Sequence, residues 1–124
     1  MVVCLPFLTL YLIVGPGHDF IGLWNTVYSS RYSVERYQQV HIGMPRNTVI
    51  DLLGEPLKTY TLTDYPASAL RDEGTRRQYS NGAPLQLETL YFSRARNNRG
   101  DFDLVSVWFG PDNKVIQCER WVTD

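Results

Sequence analysis

The stretch HIGMPRNTVIDLLGEP, residues 41–56, carries its own start and stop signals for one short helix. Gly43 permits a tight turn, and Pro45 suits the first helical position, where its missing N–H costs nothing. Val49, Ile50, Leu52 and Leu53 give the helix an apolar face. Gly54 supplies the C-terminal stop and Pro56 prevents continuation. A helix of about two turns is marginal alone, because nucleating it is expensive. It therefore has to dock on something larger, most simply a sheet.

The surrounding sequence provides that sheet. Upstream, Ser33 is an N-cap candidate for a first helix, VERYQQV (34–40), with Val34, Tyr37 and Val40 on one stripe. Downstream, LKTYTL (57–62), LQLETLYFSRA (85–95), DLVSVWFG (103–110) and KVIQCERWV (114–122) read as strands. GPDNK (110–114) is a turn that makes the last two strands an antiparallel hairpin. The fold class is α+β, with two short N-terminal helices on a three- to four-stranded antiparallel sheet. Residues 63–84 lack sustained periodicity and form a long connection, of a length associated with functional or mobile loops.

At 124 residues, 44% of them hydrophobic and 20% charged, the chain has the composition of one globular domain. The formal charge of −1 argues against nucleic-acid binding. Residues 1–14, MVVCLPFLTLYLIV, are uncharged and nearly all apolar. As a helix they reach about 20 Å, short of the roughly 30 Å hydrocarbon core. They also lack the basic start and small-residue cleavage site of a secretory signal. The expected organisation is an apolar anchor or export segment over 1–24, whose true start lies upstream or which stays uncleaved, with a buried segment of the domain as the alternative. A linker over 25–32 and the α+β domain over 33–124 follow.

The sequence presents no catalytic or metal constellation and no cofactor motif. His18 and His41 lie far apart and at no ligand spacing with cysteine or carboxylate. Cys4 and Cys118 have no CxxC spacing; they read as two unrelated thiols, with a single bridge as the alternative in an oxidising compartment. Cys118 itself reads as a small buried strand residue. Asp101 and Asp103 read as loop-edge carboxylates, solvated or paired with arginine, rather than as an acid–base pair. Arg71, Arg76, Arg77, Arg94, Arg96 and Arg99 lie in the two loops flanking the second strand. If those loops converge, their guanidinium groups offer bidentate donors to an acidic protein surface or to anionic lipid.

IGMPRNTVIDLLGEP, with YSVERYQQV before it and VWFGPDNKV after it, resembles the SmpA/OmlA family of BamE-like domains. The resemblance rests on Gly43 and Met44 opening the helix and on the closure Leu53, Gly54 and Pro56. Its third part is the late strand–turn–strand with Val107, Phe109, Lys114 and Val115. Pro45 stands where the family usually has a capping Thr, Thr48 where it has an acid, and Asn113 where Gly is common. No lipobox cysteine is present.

The resemblance implies a non-enzymatic binding or scaffolding domain of the bacterial cell envelope, aiding outer-membrane or envelope protein assembly. The expected partner is a protein, with membrane contact through the N-terminal segment. The rival expectation is an inhibitor that occludes an envelope enzyme with the 63–84 loop and the sheet face.

Overall fold

The computed structural model describes residues 25–98 and 100–122. Its elements run β1 (Thr26–Tyr28), α1 (Val34–Tyr37), α2 (Arg46–Leu53), β2 (Lys58–Tyr65), a 3-10 turn (Ala67–Ala69) and α3 (Glu73–Gln78). Then come β3 (Leu85–Tyr91), β4 (Ser93–Ala95), β5 (Asp103–Phe109) and β6 (Val115–Val122). The chain is thus mixed α+β, with an antiparallel four-stranded sheet in the order β2-β3-β5-β6 and a small β1-β4 ribbon.

Alternation along the strands gives the sheet two faces. On one, Leu90, Phe92, Val105, Val107, Phe109 and Val115 are buried under Tyr37, Val40, Met44, Val49 and Leu53 of the helical layer. Complete burial of Val49 and Leu53 contributes about 1.5–3 kcal/mol each, which is what a two-turn helix needs.

Both ends of α2 are satisfied from outside the helix. Pro45 is the N-cap rather than the first helical residue, and it makes no side-chain capping bond. Instead the Arg46 N–H donates to the Asn113 carbonyl (3.0 Å), Gly43 N–H to the Val115 carbonyl (2.8 Å) and Val115 N–H to the Met44 carbonyl (2.9 Å). At the C-terminus the carbonyls of Asp51, Leu52 and Leu53 accept from Arg31, Arg36 and the Ser29 hydroxyl. Gly54 sits at φ 87°, and a Cβ there would lie 2.7 Å from Ser30 Oγ and 3.0 Å from the Arg31 nitrogen.

Those contacts correct the expected linker over 25–32. Thr26–Tyr28 is a strand paired with β4, and Asn25, Thr26 and Ser29 are buried. The expected first helix is also shorter, ending at Tyr37. The apolar segment 1–24 lies outside the described residues, among which no helix is long and apolar enough to cross a membrane.

A buried ion pair closes the ribbon end of the sheet. Asp103, fully buried, accepts from Arg120 Nε and Nη2 at 3.0–3.2 Å and from the Tyr28 hydroxyl at 2.6 Å. The Ser93 hydroxyl bridges the same strand, donating to the Asp103 carbonyl and accepting from the Val105 N–H. Burial, and then the Asp103 charge and hydrogen bond, hold the Tyr28 hydroxyl far above its ordinary range. Desolvation alone lowers the Arg120 pKa, but the Asp103 hydrogen bond and charge outweigh it and the net shift is upward. Asp103 is therefore a structural carboxylate paired with arginine, one of the two readings its sequence neighbours allow, but buried in a strand rather than at a loop edge.

Gly54→Ala is expected to cost about 2–4 kcal/mol, from a disallowed backbone region and a steric clash together. Gly43→Ala, at φ 93° with open space around it, should cost less. Urea denaturation of both variants measures the difference. Arg120→Met should lose about 3–5 kcal/mol by stranding a buried carboxylate, and adding Asp103→Leu should recover much of that loss.

Candidate functional site

The long connection between β2 and β3 is ordered structure. After Pro66 it makes the 3-10 turn, drives Leu70 into the sheet, forms α3 and returns through 79–84. Asp72 caps α3, its carboxylate accepting from the Thr75 N–H (2.9 Å) and hydroxyl (2.8 Å). Leu70 packs with Leu85, Leu87 and Ile116, flanked by Leu62, Tyr65, Tyr79 and Trp108. This is a second core, on the sheet face opposite the helices.

A polar latch fastens the excursion to β6. Gln117 Oε1 accepts from the Arg71 N–H (3.0 Å), while Gln117 Nε2 donates to Glu119 Oε1 (2.8 Å). Arg71 Nη2 lies 3.2 Å from the same Glu119 oxygen. Arg76 Nη1 donates to the carbonyls of Leu70 and Arg71, both at 2.7 Å, which holds the chain that carries the buried leucine. At the other side the Tyr79 hydroxyl donates to Asp112 Oδ1 (3.0 Å), so the excursion also grips the β5–β6 turn. Burial, then that bond to Asp112, pushes the Tyr79 hydroxyl up to about 12.

Between the 3-10 turn, α3 and the return segment lies an open cleft of about 630 Å³, lined among others by Asp64, Ser68, Arg76, Arg77, Tyr79 and Ser80. Its volume is in the range of small-ligand sites. The lining pairs carboxylates with guanidinium groups and hydroxyls, so it can bind by hydrogen bonds and charge. Among the described residues no group of three or more His, Cys, Asp or Glu side chains is placed to hold a metal ion.

Five of the six loop arginines are among the described residues. Arg71, Arg76 and Arg77 belong to the segment before β3, Arg94 lies in β4 and Arg96 follows it. Arg71 and Arg76 are engaged in the latch, and Arg77 pairs with Glu73 on the α3 surface (2.6 Å). Arg94 Nη1 donates to the Ala95 carbonyl, and Arg99 lies outside the described residues.

His41 Nδ1 sits 3.2 Å from the Gln39 carbonyl beside α1, and His18 is outside the described residues. Cys118 is disulfide-bonded, which corrects the expectation of an unrelated thiol; Cys4 lies outside the described residues. The residues that the sequence left unmarked are Gln117, Glu119 and Leu70. Their signal was apolar character on both alternating sets of β3, which requires cover on both sheet faces.

No protein-family model, no curated protein and no solved structure matches this chain.

Burial raises the Glu119 pKa, against the lowering effects of Arg71 and Gln117. A carboxyl raised on folding stabilises the folded state below the unfolded pKa, and that contribution is lost as pH rises through the folded value. Wild type should therefore lose stability relative to Glu119→Gln as pH climbs from below the carboxylate range to neutral. The two should converge at the acidic end, and urea midpoints across that range provide the measurement.

Proposed function

We propose that this chain is a non-enzymatic binding domain of the cell envelope, BamE-like in fold, that scaffolds a protein partner. The observation that carries the proposal is the meeting of signature pieces distant in sequence. Gly43 and Met44 exchange backbone hydrogen bonds with Val115, and Pro45 bridges Lys114, so the helix opening and the late turn form one structural unit. The resemblance thus covers residues that depend on one another physically, not scattered coincidences. The disulfide at Cys118 supports an oxidising compartment, as an envelope location requires. The apolar segment over 1–24 is the tether in this reading, and the cleft with its excursion is the surface offered to the partner.

The inhibitor reading asks the 63–84 connection to protrude into an enzyme. Docking of Leu70 and the Gln117–Glu119 latch hold that connection against its own sheet, which favours a broad contact surface over a probe. Arg71, Arg76 and Arg77 are engaged with Glu119, backbone carbonyls and Glu73, which likewise favours a protein surface over a lipid headgroup.

A photo-crosslinking side chain placed at Ser68, on the exposed cleft rim, should capture one distinct envelope protein in whole cells. The same group at Asp51, on the exposed face of α2, should not. Cytosolic fractionation of the full chain together with no capture at Ser68 would overturn the assignment.

A further inference from the structure

Among the described residues strand β2 is an outer strand of the sheet, and nearly all of its side chains are exposed. Its free edge can be read from the register. The Phe92 N–H donates to the Val105 carbonyl, so the even residues of β3 point their amides at β5 and the odd residues at β2. Tyr91, Thr89 and Leu87 therefore bond Lys58, Tyr60 and Leu62. The alternate residues Thr59, Thr61 and Thr63 direct N–H and C=O away from the sheet. Native edges are commonly blunted by central charges, proline or bulges. Here the bulge comes only after Leu62, with Asp64 at φ 57°, and three threonines run along the open stretch.

We propose that β2 pairs antiparallel with β2 of a second copy of this chain about a two-fold axis through Thr61. The sequence KTYTLTD is self-complementary in that register. Thr61 faces Thr61 and Thr59 faces Thr63, all of them edge-directed positions whose amides can exchange hydrogen bonds. Tyr60 faces Leu62, and at each end of the seam Lys58 meets the partner's bulge residue Asp64, so two opposite-charge pairs flank it. Cross-strand threonine, aromatic–aliphatic and opposite-charge pairs are the favourable ones in antiparallel ladders. The same surface serves both copies, as a closed two-fold contact requires. The two four-stranded sheets become one continuous sheet of eight strands. Of the cleft lining, Asp64 alone falls within the paired segment, while Ser68, Arg76 and Arg77 lie beyond it. Shifting the register by two residues sets Lys58 against Leu62 or against Pro66 and loses both charge pairs, so the charges select one alignment.

Sedimentation equilibrium of the full chain in density-matched detergent, from micromolar to millimolar protein, tests the pairing. Wild type should dimerise with concentration. Thr61→Pro removes an N–H that the β2–β3 ladder does not use, so it should keep the native circular dichroism and sediment as a monomer. Lys58→Asp should weaken association roughly tenfold, by replacing two attractions with repulsions, and adding Asp64→Lys should restore it. A wild type that stays monomeric, leaving the edge to a strand from some other protein, overturns the proposal. So does a Thr61→Pro dimer as tight as wild type, or a charge exchange that restores nothing. Should Thr61→Pro fail to fold, the Lys58 and Asp64 variants decide alone.

Discussion

The helical layer hangs on the backbone junction between residues 43–46 and the turn that joins β5 to β6. Gly43, Met44 and Arg46 are hydrogen-bonded to Val115 and Asn113, so the start of α2 is effectively an added strand on the edge of β6. This explains how the helix tolerates Pro45 without a capping side chain. The first free amide of α2 meets the Asn113 carbonyl, and Asn113 reaches the required φ of 63° because asparagine tolerates the left-handed region better than most residues. A cap that would ordinarily come from the residue before the helix comes here from a turn far along the chain. The cap of α2 therefore depends on the last hairpin being closed, which is how so short a helix can be specified at all.

The opposite end of the molecule solves a different problem. Toward the β1–β4 ribbon, Asp103, Arg120 and Tyr28 fill the interior with bonded polar groups. Tyr28 and Tyr32 stack at 4.5 Å over this pair, so aromatic rings rather than aliphatic side chains exclude water from it. A buried ion pair is a weak source of net stability, but breaking it is costly. Its effect is to fix which residue of β6 opposes which residue of β5, since any slip strands two charges in the core.

Much of this was legible in the sequence where local chemistry decides. The helix 46–53, the four long strands and the last hairpin follow from caps, alternation and turn residues alone. The ribbon strand Thr26–Tyr28 was not legible, because TVY is too short to show alternation and its partner lies far downstream. The excursion was not legible either. Its only buried aliphatic residue is Leu70, and one leucine in a polar stretch carries no period. The available signal lay on the other side of the contact. Leu85 and Leu87 alternate onto one face of β3 while Leu90 and Phe92 alternate onto the other, and a strand apolar on both faces demands two covers. Of the candidate arginines, position in a loop was readable, but the end of the sheet to which each loop belongs depends on strand order, which no local pattern encodes.

The two cores differ in kind, and the difference bears on where binding can occur. The helix-side core is continuous, built from strands and helices whose amides are satisfied within the frame. The excursion-side core is small and held by Leu70 together with side-chain bonds to Gln117, Glu119 and Asp112. Local opening is cheapest where few apolar contacts and exposed polar bonds hold a segment, so the excursion can yield without unfolding the sheet beneath it. A binding surface that must adapt to a partner gains from that arrangement: the sheet keeps its register while the cleft adjusts. Placing the more weakly held layer on one face and the helical layer on the other lets a single small domain keep its strand register while one face adjusts.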